Sequence, residues 1–352
     1  MRIQVEQFTV HKRVPLTISR GTSAQSINLW LKIEQDGIEG WGEASPFSVG
    51  SHPQTTETIA TQFQKLAPLL ELLTPFDRQP IEALLASMNL LSATRNALDL
   101  ALWDWMGKRV GLPLWRLWGL DRTRIVPTSV TIGISSPEAA QQRMLDWLQA
   151  TPVKAVKVKL GNREGIEADR MMLTAVQAVA PQDAKISVDA NGGWRLEEAI
   201  VMSHWLADQG ITYIEQPLPK GQEYDLPALY HKSPLPIFVD ESCFASRDIP
   251  LLADRVHGIN IKLMKAGGLT EALRMVHTAQ ACGLQIMFGC YSDTSLSNTA
   301  AAQLAPFADY LDLDSHLNLI DDPFSGATMQ NGRLVPNDLP GLGVVQSGMG
   351  DG

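Results

Sequence analysis

The sequence predicts an α/β protein: a modified (β/α)7β barrel of the TIM type with an α+β capping domain. Three observations predict it. From about Val126 onward, short apolar strands alternate with helical stretches, the pattern of βα units feeding a parallel sheet. Strand ends fall near Thr131, Lys159, Asp189, Glu215, Asp240, Lys262, Phe288 and Asp312, at intervals of about 20 to 30 residues, the repeat of a (β/α) barrel. A chain of 352 residues, 45% hydrophobic and 19% charged, accommodates a large barrel plus a smaller partner.

The elements follow in order. Met1-Arg2-Ile3-Gln4-Val5 alternates like a strand, and Ile27 to Glu34 reads as another. Asp36-Gly37 is a turn signal, and Gly40-Trp41-Gly42-Glu43 continues as a third short strand. Helical stretches then cover roughly Thr55 to Leu73 and Ala93 to Lys108, the second with Leu98, Ala101, Leu102 and Trp105 on one stripe and ended by Gly111-Leu112-Pro113. These place a capping domain at residues 1–122 and the barrel at 123–320. The last barrel strand lacks a clear long helix after it. The tail, 321–352, contains a Gly- and Pro-rich run from Asn331 to Val345 and is expected to pack back on the capping domain, with Ser347 to Gly352 frayed.

Composition narrows the function. Against 29 Lys and Arg stand 38 Asp and Glu, a net charge of -9, which disfavours nucleic acid or an anionic membrane as partner. No apolar run is long enough to span a membrane, and the N-terminal strand pattern has no signal-peptide core. Cys243, Cys282 and Cys290 show no paired spacing, so free thiols are expected rather than a disulfide framework or a zinc site. A cytoplasmic protein follows, with homo-oligomerisation left open.

The strands carry charges where a buried parallel strand should be apolar. The exceptions obey the period of two. Val156, Val158 and Leu160 share one face of their strand, and Lys157 and Lys159 the other. Ser187 and Asp189 oppose Ile186 and Val188; Asp240 opposes Ile237 and Val239; Asn260 and Lys262 oppose Ile259, Ile261 and Leu263; Asp312 and Asp314 oppose Leu311 and Leu313. One face therefore packs on helices, while charges point to the barrel axis at the carboxyl ends of the strands, where barrel enzymes build their sites. Asp189, Glu215 and Asp240 close three consecutive strands and should converge on one point. Three oxygen donors without His or Cys suit Mg²⁺, with Mn²⁺ as a substitute. Lys157 and Lys159 precede these acids and Lys262 follows them, so the lysines should approach a substrate from opposite sides. Burial, the second ammonium and a divalent cation should lower the pKa of a catalytic lysine. Lys265, past its strand end, reads as structural or solvated.

These motifs in order resemble the muconate lactonizing enzyme subgroup of the enolase superfamily, along nearly the whole chain. The matching motifs are Gly40-Trp41-Gly42-Glu43-Ala44, the helix from Ala93 to Asp104, Lys157-Val158-Lys159, Asp189-Ala190-Asn191, Glu215-Gln216-Pro217, Asp240-Glu241-Ser242 and Asn260-Ile261-Lys262 before Gly267-Gly268-Leu269. The resemblance implies a cation on Asp189, Glu215 and Asp240 that binds a substrate carboxylate and stabilises an enediolate. It makes Lys159 and Lys262 the acid/base pair, and Asn191 and Glu241 supports of the metal ligands. Asp312-Leu313-Asp314 resembles the Asp-x-Asp of the dipeptide epimerases, where two acids suit the α-ammonium of a dipeptide. The substrate-contacting set is completed by Lys157, Arg20, Thr131 and Cys290. Gly289-Cys290 fits that branch, while Tyr291-Ser292-Asp293 departs from its Met-x-Glu. The loop Ser19-Arg20-Gly21-Thr22-Ser23 resembles a specificity loop, but Ser23 stands where an arginine would select glutamate. The expectation is an apolar or broad preference at the second residue. The competing readings are an o-succinylbenzoate synthase or N-acylamino acid racemase, against which the two acids argue, and a non-catalytic binding barrel, which would have lost a ligand or a lysine.

Overall fold

A computed structural model describes residues 1–50 and 53–347. The N-terminal strands form an antiparallel sheet in chain order: β1 (Arg2–Ile18), β2 (Gly21–Gln35) and β3 (Ile38–Ala44). The predicted Asp36-Gly37 turn joins β2 to β3 with φ of 56° and 73°, the left-handed pair that a tight hairpin requires. β1 runs further than its first alternating residues imply. Its register against β2 slips between His11 and Leu16, around Pro15, which cannot donate to the ladder. The slip pushes Lys12, Val14 and Pro15 out of the sheet toward the barrel mouth.

The helix Ser92–Val110 is the packing partner of β3. A Cβ on Gly40 would stand 2.1 Å from the Ala101 carbonyl oxygen, and one on Gly42 1.8 Å from that of Ala97. The two glycines let the strand lie directly on the helix backbone. Gly111, at φ 72°, ends this helix where the sequence predicts. Helices Thr56–Leu70 and Arg78–Ser87 complete the layer; the second has no counterpart in the sequence reading.

The barrel strands follow as β4 (Ser129–Ile132), β5 (Ala155–Lys159), β6 (Lys185–Asp189), β7 (Ile214–Glu215), β8 (Ile237–Val239), β9 (Gly258–Lys262), β10 (Gln285–Gly289) and β11 (Tyr310–Asp312). All eight neighbour in chain order, every pairing is parallel, and a Thr128–Leu311 bridge closes the ring. The fold is the expected barrel with its antiparallel cap. The connection after β8 is a 3-10 turn, Ser246–Leu251, and that after β11 another, Ser315–Asn318. The predicted apolar faces, Val156, Val158, Val188, Ile237, Ile259 and Ile261, lie in the core shared with the helices. Inside the barrel, Tyr213, Phe238 and Met287 form a separate apolar floor beneath the charges.

The tail touches both layers. Gly341 packs on Gly107 and Leu342 N–H donates to Asp104 at 2.8 Å, while the Thr128 N–H donates to the Gly332 carbonyl at 2.9 Å. The expected frayed end lies, from residue 348 on, outside the described residues. Among the described residues no helix is long and apolar enough to cross a membrane.

Candidate active site

The parallel register sets the strand ends level: Lys159 stands beside Asp189, and Asp189 beside Glu215. Period two turns their side chains inward, and all are buried. Lys157 lies deepest, with no exposed side-chain surface. Its Nζ is 2.6 Å from Glu215 Oε2, 2.7 Å from Asp312 Oδ2 and 3.3 Å from Asp189 Oδ2. Lys159 Nζ donates to Asp189 Oδ2 at 2.6 Å. On the other side of the three acids, Lys262 Nζ stands 2.9 Å from Asp240 Oδ2. The chain thus brings Lys159 and Lys262 to opposite flanks of the three acids.

Backbone turns and amides aim the acids. Asn191, at φ 45°, donates its N–H to Asp189 Oδ1 at 2.8 Å and its side-chain amide to Asp189 Oδ2 and Glu241 Oε1 at 3.1 and 3.2 Å. Asn260 Nδ2 donates to Glu215 Oε1 at 2.8 Å. Gln216 Oε1 accepts from the Asp240 N–H at 2.8 Å. Lys265 is buried rather than solvated: its Nζ is 2.5 Å from Asp240 Oδ1 and donates to the Asp240, Cys243 and Asn260 carbonyls. That leaves it a structural tie.

The electrostatics depart from expectation in two ways. Burial alone would lower Lys262 and Lys157, but Asp240 beside the first and Asp312, Glu215 and Asp189 around the second outweigh it. Both are held well above the ordinary lysine value rather than below it. The acids are also not drawn tightly around one point; among the described residues no such cluster forms, because each carboxylate turns to an ammonium. The residues nevertheless fit a hard cation. Burial, and after it the neighbouring Asp189, push Glu215 up to about 7. Glu215 Oε2 and both Asp240 oxygens are met by the ammonium groups of Lys157, Lys262 and Lys265 and, among the described residues, by no neutral donor. Oxygen-only donors with free lone pairs match Mg²⁺.

The rim acids occupy one wall. Asp312 Oδ1 accepts from Ser129 Oγ at 2.8 Å and Thr131 Oγ1 at 3.3 Å, and Asp314 Oδ2 accepts from the Thr131 N–H at 2.6 Å. Burial would raise Asp312, but Lys157 and Lys159 hold it down at about 2. Asp314 is raised to about 6 by burial and by Asp312. Cys290 Sγ donates to the Asp312 carbonyl at 3.2 Å. Both acids line a cavity of about 200 Å³ together with Lys159, Val14, Leu16, Ile134 and Trp147.

A second cavity, of about 500 Å³, holds Arg20, Val49, Gly161, Asn191 and Glu241. Arg20 Nη1 is 2.7 Å from Glu241 Oε1 and 2.9 Å from the Asn191 carbonyl oxygen. Ser23 does not line it; its hydroxyl accepts from Lys12 Nζ at 2.8 Å. Lys12 also reaches Ser292 Oγ at 2.8 Å. Lys12 and Tyr291 escaped the sequence reading as site residues, although Pro15 three positions on was a usable signal of the strand's departure from the sheet. Glu43 is wholly buried and accepts from Asn28 Nδ2 at 2.8 Å, from Thr294 Oγ1 at 2.9 Å and from the Ser297 N–H at 3.2 Å, so it caps the helix Ser295–Ala302.

Known proteins match this arrangement. Residues 2–119 match the mandelate racemase/muconate lactonizing enzyme N-terminal domain, and residues 139–347 the enolase C-terminal domain-like family. The chain is 43% identical to a hydrophobic dipeptide epimerase of a Flavobacteria bacterium, over 98% of both chains. It is 44% identical to one from Roseobacter litoralis, over 98% of this chain and 99% of that one. It superposes on a dipeptide epimerase from Enterococcus faecalis, solved with Mg and L-Leu-L-Tyr, with a TM-score of 0.88 at 30% identity, covering 97% of this chain and 98% of that one. This chain belongs to the enolase superfamily, and within it to the dipeptide epimerases.

Proposed function

We propose that this enzyme epimerises a dipeptide at the α-carbon of its C-terminal residue, with Mg²⁺ and with Lys159 and Lys262 moving the proton on opposite faces. One observation carries the reading: the two lysines flank the acids of three consecutive strands, while Asp312 and Asp314 stand on the wall beside them. The relatives' names and the bound dipeptide in the Enterococcus structure support it.

Asp189, Glu215 and Asp240 would hold the cation, and Asn191, Asn260 and Gln216 keep their carboxylates aimed. Bound Mg²⁺ supplies positive charge to the substrate carboxylate as the α-proton leaves. With the acids engaged on a cation, Lys159 and Lys262 would lose their carboxylate partners and would be free to face the α-carbon between them. One lysine, neutral, accepts the α-proton; the other, as an ammonium, returns a proton to the opposite face, and the configuration inverts. Lys157 stays below as fixed positive charge. Asp314, helped by Asp312, pairs with the substrate α-ammonium. The first side chain then lies against Val14, Leu16, Ile134 and Trp147, which favours an apolar residue, and the second faces the cavity of Arg20 and Val49.

Two experiments test this. Asp240→Asn should abolish Mg²⁺ binding by calorimetry together with turnover, and unchanged Mg²⁺ affinity would remove Asp240 from the ligand set. An acylamino acid racemase would process an N-acetylated dipeptide as well as the free one. The proposed enzyme should lose turnover on acetylation, because the ammonium is gone.

A further inference from the structure

Tyr291 occupies the position where the chain departs from the Met-x-Glu pattern, and it stands over a proposed base. Lys262 Nζ lies 4.3 Å from the centre of its ring, on the face, where the ring quadrupole attracts a cation. The ring cannot drift, because Phe47 stacks on it with centroids 4.5 Å apart and planes 11° apart. Phe47 is itself buried and comes from the loop after β3, so the N-terminal layer fixes the ring from behind. The Tyr291 hydroxyl is buried yet has no hydrogen-bond partner among the described residues. The charges acting on it belong to Asp240, Lys262, Glu241 and Arg20, which include a proposed cation ligand and a proposed base.

We infer that Tyr291 is a positioning residue for Lys262, its ring setting the ammonium on one face of the substrate and its hydroxyl donating to a substrate oxygen. The inference rests on the two-lysine reading. A leucine or methionine would fill the volume without attracting the ammonium, so once Asp240 holds the cation Lys262 would lack the ring face that orients it. The two faces of the reaction then become unequal, since Lys159 pairs with Asp189 and, among the described residues, has no aromatic ring over it.

The test follows deuterium entering the α-carbon of L-Leu-L-Tyr and of its L,D diastereomer in D₂O with Mg²⁺. Lys262→Ala should abolish exchange from one diastereomer and leave the other. At saturating dipeptide, where the lost hydroxyl no longer limits binding, Tyr291→Leu should lower exchange from that same diastereomer about tenfold and leave the other within about twofold. The ratio is internal to one protein sample, so a general loss of folded enzyme does not move it. Tyr291→Phe keeps the ring and should restore the ratio, while KM rises about fivefold for the lost hydroxyl. Equal losses from both diastereomers, no change with leucine, or a phenylalanine variant as skewed as leucine would each overturn the inference. If Lys262→Ala exchanges both diastereomers, the two-lysine reading itself fails, and the positioning role falls with it.

Discussion

At the scale of single residues, the rim acids differ in a way that the sequence does not distinguish. Asp312 is saturated by Lys157, Ser129 and Thr131, whereas Asp314 accepts from a backbone N–H and keeps an oxygen toward the cavity. Asp314 is thus the stronger partner for a substrate ammonium. Replacing it by Asn should raise KM roughly thirtyfold, about 2 kcal/mol for a charge-assisted hydrogen bond, with a smaller effect on kcat. Burial and Asp312 raise Asp314 to about 6, so it takes up a proton as pH falls through that value. KM of the wild type should therefore climb below pH 6, and KM of Asp314→Asn should stay flat there; parallel profiles would show that another group governs the dependence. Lysine placement was legible, because period two alone puts Lys157, Lys159 and Lys262 inward. Their charge balance was not, because it depends on which acids end within 3 Å of each ammonium.

At the scale of elements, β3 shows how a short motif positions the site. Gly40 and Gly42 bring the strand onto the helix Ser92–Val110, and Glu43 then reaches the N-terminus of the helix Ser295–Ala302, just after the loop carrying Cys290 and Tyr291. Gly42→Ala would drive a methyl into a main-chain carbonyl that no side-chain rotation can clear. It should destabilise by more than about 2 kcal/mol in denaturant unfolding, while a change within 0.5 kcal/mol would mean that the helix shifts freely. Burial and Asp293 raise Glu43 from 4.5 to about 8. The folded state thus binds its proton more tightly than the unfolded state, and stability falls as pH rises between these values. Glu43→Gln removes that slope, so the melting temperature of the wild type should drop relative to the variant from pH 5 to pH 8; a constant difference would contradict the shift. The helix Arg78–Ser87 was not legible: it buries only Ile81 and Leu85, and Asp77 to Pro80 reads as a turn.

At the scale of the whole molecule, the barrel was legible because apolar strands recur at a regular interval and most of them close on an inward charge, and all eight strand ends fall within one residue of the expected positions. The contribution of the N-terminal sheet to the site was only half legible. Arg20 reaches Glu241, but Ser23 turns to Lys12; Pro15 signals that the strand leaves the sheet near Lys12 and Val14, while Phe47 enters the site through a tertiary contact that no local pattern encodes. Two layers must therefore stay docked for the site to exist, with acids and lysines from the barrel and apolar and aromatic walls from the cap. The most direct test of this account is the mass and configuration of L-Leu-L-Tyr incubated with the enzyme and Mg²⁺ in D₂O. The account predicts one deuterium at the tyrosine α-carbon, in both L,L and L,D products, with none after chelation. Deuterium at the leucine α-carbon, or inversion without deuterium, would contradict it.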